Sequence, residues 1–283
     1  MTVCSCKSQF ELLLNSNDAD EKYEAAFQYY NEGKYTRSAA LFESLSILTN
    51  GTERDDTVKF YWGLSNYKSK DYYTAETNFD KFLEVYPRSP FASEARYLRL
   101  ECLYKSTLRW ELDQAPTYKT ISEISEYILD HPDNPNMKQC KDMLDELNLR
   151  LDRKSFEAAK LYYKMEDYLA ARVAFRNVLK DKAENAYRED ILYYIAISSY
   201  KYANLSVASK QKERFLVFID DYYNLIGEIP DSRYRKELDV VYHRAQKALG
   251  KDAVVNEYSD FSEKDFAKER KLEAKEQKKS AKK

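Results

Sequence analysis

Small and aromatic residues recur along this chain at helical spacing, with polar residues between them. Residues 23–45 read YEAAFQYYNEGKYTRSAALFESL and residues 60–82 read FYWGLSNYKSKDYYTAETNFDKF. A shift of 37 positions lays Tyr30 on Tyr67, Tyr35 on Tyr72 and Phe42 on Phe79. The same shift lays Ala26 on Gly63 and Ser38 on Ala75. A second shift, of 96 positions, carries Gly63, Tyr67, Tyr72, Ala75 and Phe79 onto Ala159, Tyr163, Tyr168, Ala171 and Phe175. This pattern predicts pairs of amphipathic helices. The small residues let helix A approach helix B, and the aromatics fill the wedge between neighbouring pairs.

Breaks in the pattern place the helix ends. Asn17 or Asp18 opens the first helix, whose first turn carries Asp20 and Glu21. The first pair turns at Gly33–Lys34, and the second ends at Tyr86-Pro87, because proline cannot continue a helix. Ser89 is expected to cap the next helix, with Pro90 at its first position. The stop signal recurs at Tyr127–Pro132, and again from Tyr222 to Pro230, stretched by an insert at 224–227. The third pair is expected to have a long helix A over about 92–110, a connection at Asp113–Thr117 and a helix B over about 117–130. A connecting helix at 137–152 runs on into the fourth pair. The fifth pair carries Ala196, Tyr200, Phe215 and Phe218, and a terminal helix over about 231–249 stops at Gly250. The expected fold is all-α, a solenoid of about five tetratricopeptide-like hairpins over 18–250. Residues 1–17 form a tether and 251–283 a charged tail, helical or disordered. A helical bundle without repeats is the alternative.

Composition narrows the function classes. Only 5 Gly and 6 Pro in 283 residues argue against strands and turns, and a formal charge of −2 argues against nucleic acid as a partner. The two histidines, His131 and His243, stand far apart, and no phosphate-cradling loop or metal-ligand spacing occurs. Neither a catalytic set nor a cofactor is expected. Tyr, with 26 copies, suits both packing between hairpins and the lining of a peptide groove.

The four cysteines divide into two kinds. Cys102 and Cys140 lie in helical stretches and are expected to be packed thiols. Val3-Cys4-Ser5-Cys6 has the form of a lipoprotein processing site, with an aliphatic residue at −3 and a small one at −1. Cys6 fits that form, whereas Cys4 has the bulkier Val3 at −1. Two reactive terminal thiols are the alternative. A secretory signal needs a charged start and an apolar run, and neither stands between Met1 and Cys6. Either a longer precursor supplies the signal or the chain is not exported.

Residues 6–250 resemble the BamD family, the lipoproteins of the outer-membrane β-barrel assembly machinery. The resemblance rests on the cysteine ahead of the hairpins, on the segment FLEVYPRSPFA at 82–92, and on the long third hairpin with its Asp113-Gln114 connection. It implies an acyl anchor at Cys6 in the periplasmic leaflet of the outer membrane. It also implies N-terminal repeats that receive unfolded outer-membrane proteins, and C-terminal repeats that dock a BamA-like barrel subunit. Helix A of each hairpin lines the expected groove, so Tyr30, Asn31, Asn66 and Tyr67 are its candidates. Tyr30 and Tyr67 are equally readable as packing residues. The alternative function is a tetratricopeptide adaptor of the envelope or cytoplasm with another protein partner. An enzyme framed on the solenoid is disfavoured by the lack of a converging His/Cys/Asp set.

Overall fold

The computed structural model describes residues 9–250, which are helical with no strand among them. Cys4, Cys6 and the tail at 251–283 lie outside the described residues. The helices are α1 (Gln9–Asn15), α2 (Ala19–Asn31), α3 (Tyr35–Leu48), α4 (Asp55–Lys68), α5 (Tyr72–Val85) and α6 (Ala92–Lys105). They continue as α7 (Ala115–Asp130), α8 (Met137–Lys164), α9 (Tyr168–Asp181), α10 (Arg188–Asn204), α11 (Ala208–Glu228) and α12 (Arg235–Ala248). The chain divides into two compact units, Met1–Leu151 and Asp152–Lys283. The first holds hairpins α2/α3, α4/α5 and α6/α7. The second holds the latter part of α8 with α9, the pair α10/α11, and α12.

In the first unit the repeated positions form the core. Ala26, Phe42, Ala75 and Phe79 are fully buried. Gly63 is required by packing, because a Cβ there would stand 2.8 Å from Cε1 of Phe79. A buried hydroxyl pair joins the first two hairpins: Ser38 Oγ donates to the Ala26 carbonyl and lies 3.0 Å from Ser65 Oγ. The start of α8 closes the third hairpin with Cys140, Met143 and Leu147. In the second unit Phe156, Ala159, Phe175 and Ile191 form one cluster, and Phe218, Leu225 and Leu238 belong to another. Burying one such side chain contributes roughly 1.5–3 kcal/mol, so phenylalanines anchor every hairpin but the third, where Leu100 and Ile124 take that part.

Three A–B turns share one geometry. Gly33, Lys70 and Glu166 occupy matching repeat positions with φ of 74°, 68° and 63°. In each, the left-handed residue donates to a tyrosine carbonyl three positions back (Tyr30, Tyr67, Tyr163). The next amide reaches five positions back to Tyr29, Asn66 and Tyr162, at 2.8–3.1 Å. This is the Schellman closure, which satisfies carbonyls that the helix end orphans. The tyrosines that bracket each turn meet edge to face: Tyr30–Tyr35 at 5.5 Å, Tyr67–Tyr72 at 5.8 Å and Tyr163–Tyr168 at 5.5 Å.

The opposite ends are tied by carboxylates near the start of helix A, which reach the loop after helix B. Asp20 pairs with Arg54 at 2.5 Å. Asp55 Oδ2 accepts from Tyr86 Oη at 2.5 Å, Lys59 Nζ at 2.9 Å and the Gly51 amide at 3.1 Å, while Asp56 accepts from Ser89 at 2.9 Å. Asp152 accepts from Lys182 at 2.7 Å and the Ala186 amide at 3.0 Å. Glu189 accepts from Ser232 at 2.8 Å, and Asp190 from Arg233 and Tyr234.

Four expectations need correction. Residues 9–15, read as tether, form α1, whose Phe10, Leu13 and Leu14 pack on the first hairpin. Helix A of the third hairpin stops at Lys105 rather than near 110. Buried Gln114 holds the connection instead, donating to the carbonyls of Arg109, Leu112 and Asp113 at 2.8–3.2 Å. Ser89 caps the turn at Phe91, not the helix, which starts at Ala92. The terminal helix starts at Arg235 rather than near 231, and the 224–227 insert lies within α11.

Candidate functional site

Helix A of the first two hairpins and the start of α6 meet through a band of half-buried rings. Tyr61 is its hub. It lies 4.7 Å from Phe27, 5.4 Å from Tyr30 and 6.1 Å from Phe91 between ring centroids. Tyr23 continues the band at 4.9 Å from Phe27. Buried Phe60 backs it, stacked on Phe91 at 4.5 Å. The band exists because successive A helices place aromatics at adjacent levels, and edge-to-face packing suits their quadrupoles. Tyr23, Phe27, Tyr30, Tyr61 and Phe91 are all half-buried, so the band offers apolar area together with the phenols of its three tyrosines.

The four sequence candidates separate here. Tyr30 belongs to the band; burial, together with Tyr35, Tyr61 and Glu94, pushes its phenol up to about 12. It therefore stays a neutral donor at any physiological pH. Tyr67 lies beside Tyr72, and burial plus its hydrogen bond to Glu101 raises its phenol as well. Asn31 is exposed at the end of α2. Asn66 is the correction: it is 7% exposed and its Nδ2 is buried without a hydrogen-bond partner, so it lines no open groove. Tyr23, Phe27 and Tyr61 were missed. Their signal was present, since Tyr23, Phe27, Tyr30 and Tyr61 all sit on helix A at helical spacing.

Cys102 and Cys140 are buried free thiols, as expected. Burial pushes Cys102 up to about 12 and raises Cys140, so neither is a nucleophile at neutral pH. A shallow cleft of about 320 Å³ on the third hairpin gathers Ser93, Arg96, Tyr127, Asp130, His131 and Asn134. Its charges are mixed, and His131 sits there as the cap residue of α7, edge-on to Tyr127 at 4.9 Å. Among the described residues no group of three or more His, Cys, Asp or Glu is placed to hold a metal ion. None of their helices is long and apolar enough to cross a membrane.

Stacked helical hairpins with an aromatic A face define the class: a tetratricopeptide-type repeat protein. Comparison with known sequences gives the particular family. The chain belongs to the YfiO family, described as outer membrane lipoprotein, whose sequence model matches residues 15–215. It is similar to the putative outer membrane protein assembly factor BamD of Aquifex aeolicus, 27% identical over 246 residues, covering 84% of this chain and 77% of that protein. It is also similar to the outer membrane protein assembly factor BamD of Caulobacter vibrioides, 23% identical over 203 residues, covering 70% of this chain and 62% of that protein. Among solved structures, the TPR2AB-domain:pHSP90-complex of yeast Sti1 aligns with a TM-score of 0.36 and 15% identity, covering 81% of this chain and 98% of that one. The resemblance to the BamD family read from the hairpins and the 82–92 segment is thus met by the family match.

Proposed function

We propose that this chain is a non-catalytic subunit of outer-membrane protein assembly, held at the periplasmic face of the outer membrane by acylated Cys6. Its first hairpins receive extended segments of unfolded outer-membrane proteins on the aromatic band. Its last hairpins dock a BamA-like barrel subunit. The observation that carries this reading is the family match over 15–215, which runs through every hairpin that builds the band. The two BamD relatives, both named as assembly factors, support it. Ordering an extended peptide costs entropy, so the substrate affinity is on the order of micromolar.

Photo-crosslinkers at Asn31 and Gln28, both exposed on α2, test the groove directly. They should capture the C-terminal peptide of an outer-membrane β-barrel protein, and Tyr61→Ala should weaken that capture. Capture only from helix B positions such as Tyr73 would reject the band as the receptor. Affinity purification from membranes should recover a β-barrel with periplasmic repeats; its absence would reject the assembly role. Mass spectrometry of the native protein should find Cys6 acylated, and Cys6→Ser should move the chain to the soluble fraction when its barrel partner is absent.

A further inference from the structure

We infer that the tyrosine pair at the first A–B turn, Tyr30 with Tyr35, is a binding site for a lysine side chain, supplied by the extended segment that the first hairpins receive. This deepens the receptor reading above and rests on it for the source of the lysine. The site itself stands on the other repeats.

Two other copies of the pair already hold an ammonium. The shifts of 37 and 96 positions that superpose Tyr30, Tyr67 and Tyr163 also carry Lys68 onto Lys105 and Lys105 onto Lys201. Each of these lysines lies in the last turn of the helix A that follows a pair. Lys105 Nζ lies over Tyr72, 5.8 Å from the ring centroid. Lys201 Nζ lies over both rings of its pair, 4.7 Å from Tyr163 and 5.0 Å from Tyr168. The face of an aromatic ring is the negative pole of its quadrupole and attracts a cation within about 6 Å. All three pairs meet edge to face at nearly one spacing, so the occupied copies show what the arrangement holds.

The first pair has the same geometry and no cation over it. Lys68, which the repeat register assigns to it, lies over its own neighbour Tyr67 instead, at 5.9 Å. The other bases beside the turn are engaged as well. Lys34 pairs with Glu32 at 2.7 Å and covers Tyr29, while the Arg37 guanidinium covers Phe10 and Tyr29. Tyr30 and Tyr35 are both half-buried, so packing fixes the pair while part of each ring still meets solvent. Glu94 supplies a carboxylate to go with the rings. It is exposed, near enough to bear on the Tyr30 phenol, and forms no ion pair with a described residue. Tyr30 also belongs to the aromatic band, so a segment lying along the band would bring its lysine to this end of it.

The test titrates the full chain with Nα-acetyl-lysine amide and with Nα-acetyl-norleucine amide, which keeps the stem and lacks the charge, and follows the tyrosine rings by NMR. The lysine amide should move the Tyr30 and Tyr35 rings, binding there about fivefold more tightly than the norleucine amide. Tyr35→Phe keeps the ring face and should keep that preference, Tyr35→Leu should remove it, and Glu94→Gln should weaken lysine binding about twofold. Lys105→Gln should open a second such site at Tyr67 and Tyr72. Equal shifts from the two amides, or an unchanged preference in Tyr35→Leu, overturn the inference. So does a pair that takes the lysine amide only after Lys68→Gln, since Lys68 is then its occupant. A C-terminal peptide of an outer-membrane β-barrel protein carrying one lysine should likewise bind about fivefold more tightly than the same peptide with norleucine there. Equal binding of the two peptides overturns the lysine site and leaves the receptor reading standing. Binding of the lysine amide with no binding of either peptide keeps the site and rejects the receptor reading alone.

Discussion

Each unit ties successive helices together with charge, but the two arrange it oppositely. In the first, the cation sits on the middle helix: Arg99 of α6 reaches Asp80 of α5 at 2.7 Å, Glu76 of α5 at 3.7 Å and Glu123 of α7 at 2.9 Å. In the second, Arg172 of α9 occupies the repeat position of Glu76 and carries the opposite sign. It forks onto Asp221 of α11 at 2.6 and 2.9 Å, and Ser199 of the middle helix donates to the same carboxylate. Water separates the two cases further. Asp80 keeps half its side chain exposed and Glu123 about 29%, whereas Asp221 keeps 3%. A half-wet network adds little to stability, while a dry carboxylate makes its partner indispensable. The same spatial task, joining two B helices across an A helix, is therefore done tolerantly in one unit and stringently in the other.

The largest expected effect tests that contrast. Asp221→Ala strands Arg172 and should cost about 3–5 kcal/mol in urea unfolding, whereas Glu123→Ala should cost about 1 or less. Arg172→Met combined with Asp221→Leu should recover most of the loss, because apolar replacements remove both desolvation terms. Equal costs for Asp221→Ala and Glu123→Ala would erase the distinction.

Next comes the loop lock at Asp55. Burial raises this carboxyl, but the donors Tyr86, Lys59 and the Gly51 amide outweigh it, and its pKa is lowered overall. A depressed carboxyl gives stability that is present above its unfolded value, about 3.9, and is lost as pH falls through the folded value. Tyr86→Phe should cost about 1.5–3 kcal/mol at neutral pH, and the penalty should shrink in acid. A pH-independent penalty would show that the phenol acts by packing alone.

Gly63→Ala comes third. The second hairpin has no room for a methyl against Phe79, although Ala26 and Ala159 hold the matching positions elsewhere. It should cost about 1–3 kcal/mol through overpacking, read as a lower urea midpoint. The smallest effect is a gain common to both units. Lys70→Gly and Glu166→Gly each relieve a left-handed backbone and should stabilise by about 1 kcal/mol, read as a rise in melting temperature. A gain in one unit alone would break their equivalence.

The sequence by itself determined the helices, their pairing and the family. Those properties are local or periodic: Ala26, Gly63 and Ala159 mark each helix crossing, Gly33 and Gly250 take left-handed turns, and Pro87 stops α5. It also contained the aromatic band, although only Tyr30 of its members was singled out. Tertiary structure alone decided the rest. Lys70 and Glu166 hold glycine-like turns because the hydrogen bonds around them outweigh a backbone preference of about a kilocalorie. α1 forms because Phe10 and Leu13 find the first hairpin, although a helix of 7 residues is too short to persist unaided. Asn66 is buried where an open groove was expected, since a polar residue next to Tyr67 carries no local mark of which side its neighbours will cover. Arg172 and Asp221 stand 49 residues apart, and only the stacking of hairpins brings opposite charges separated by that much chain into one dry contact.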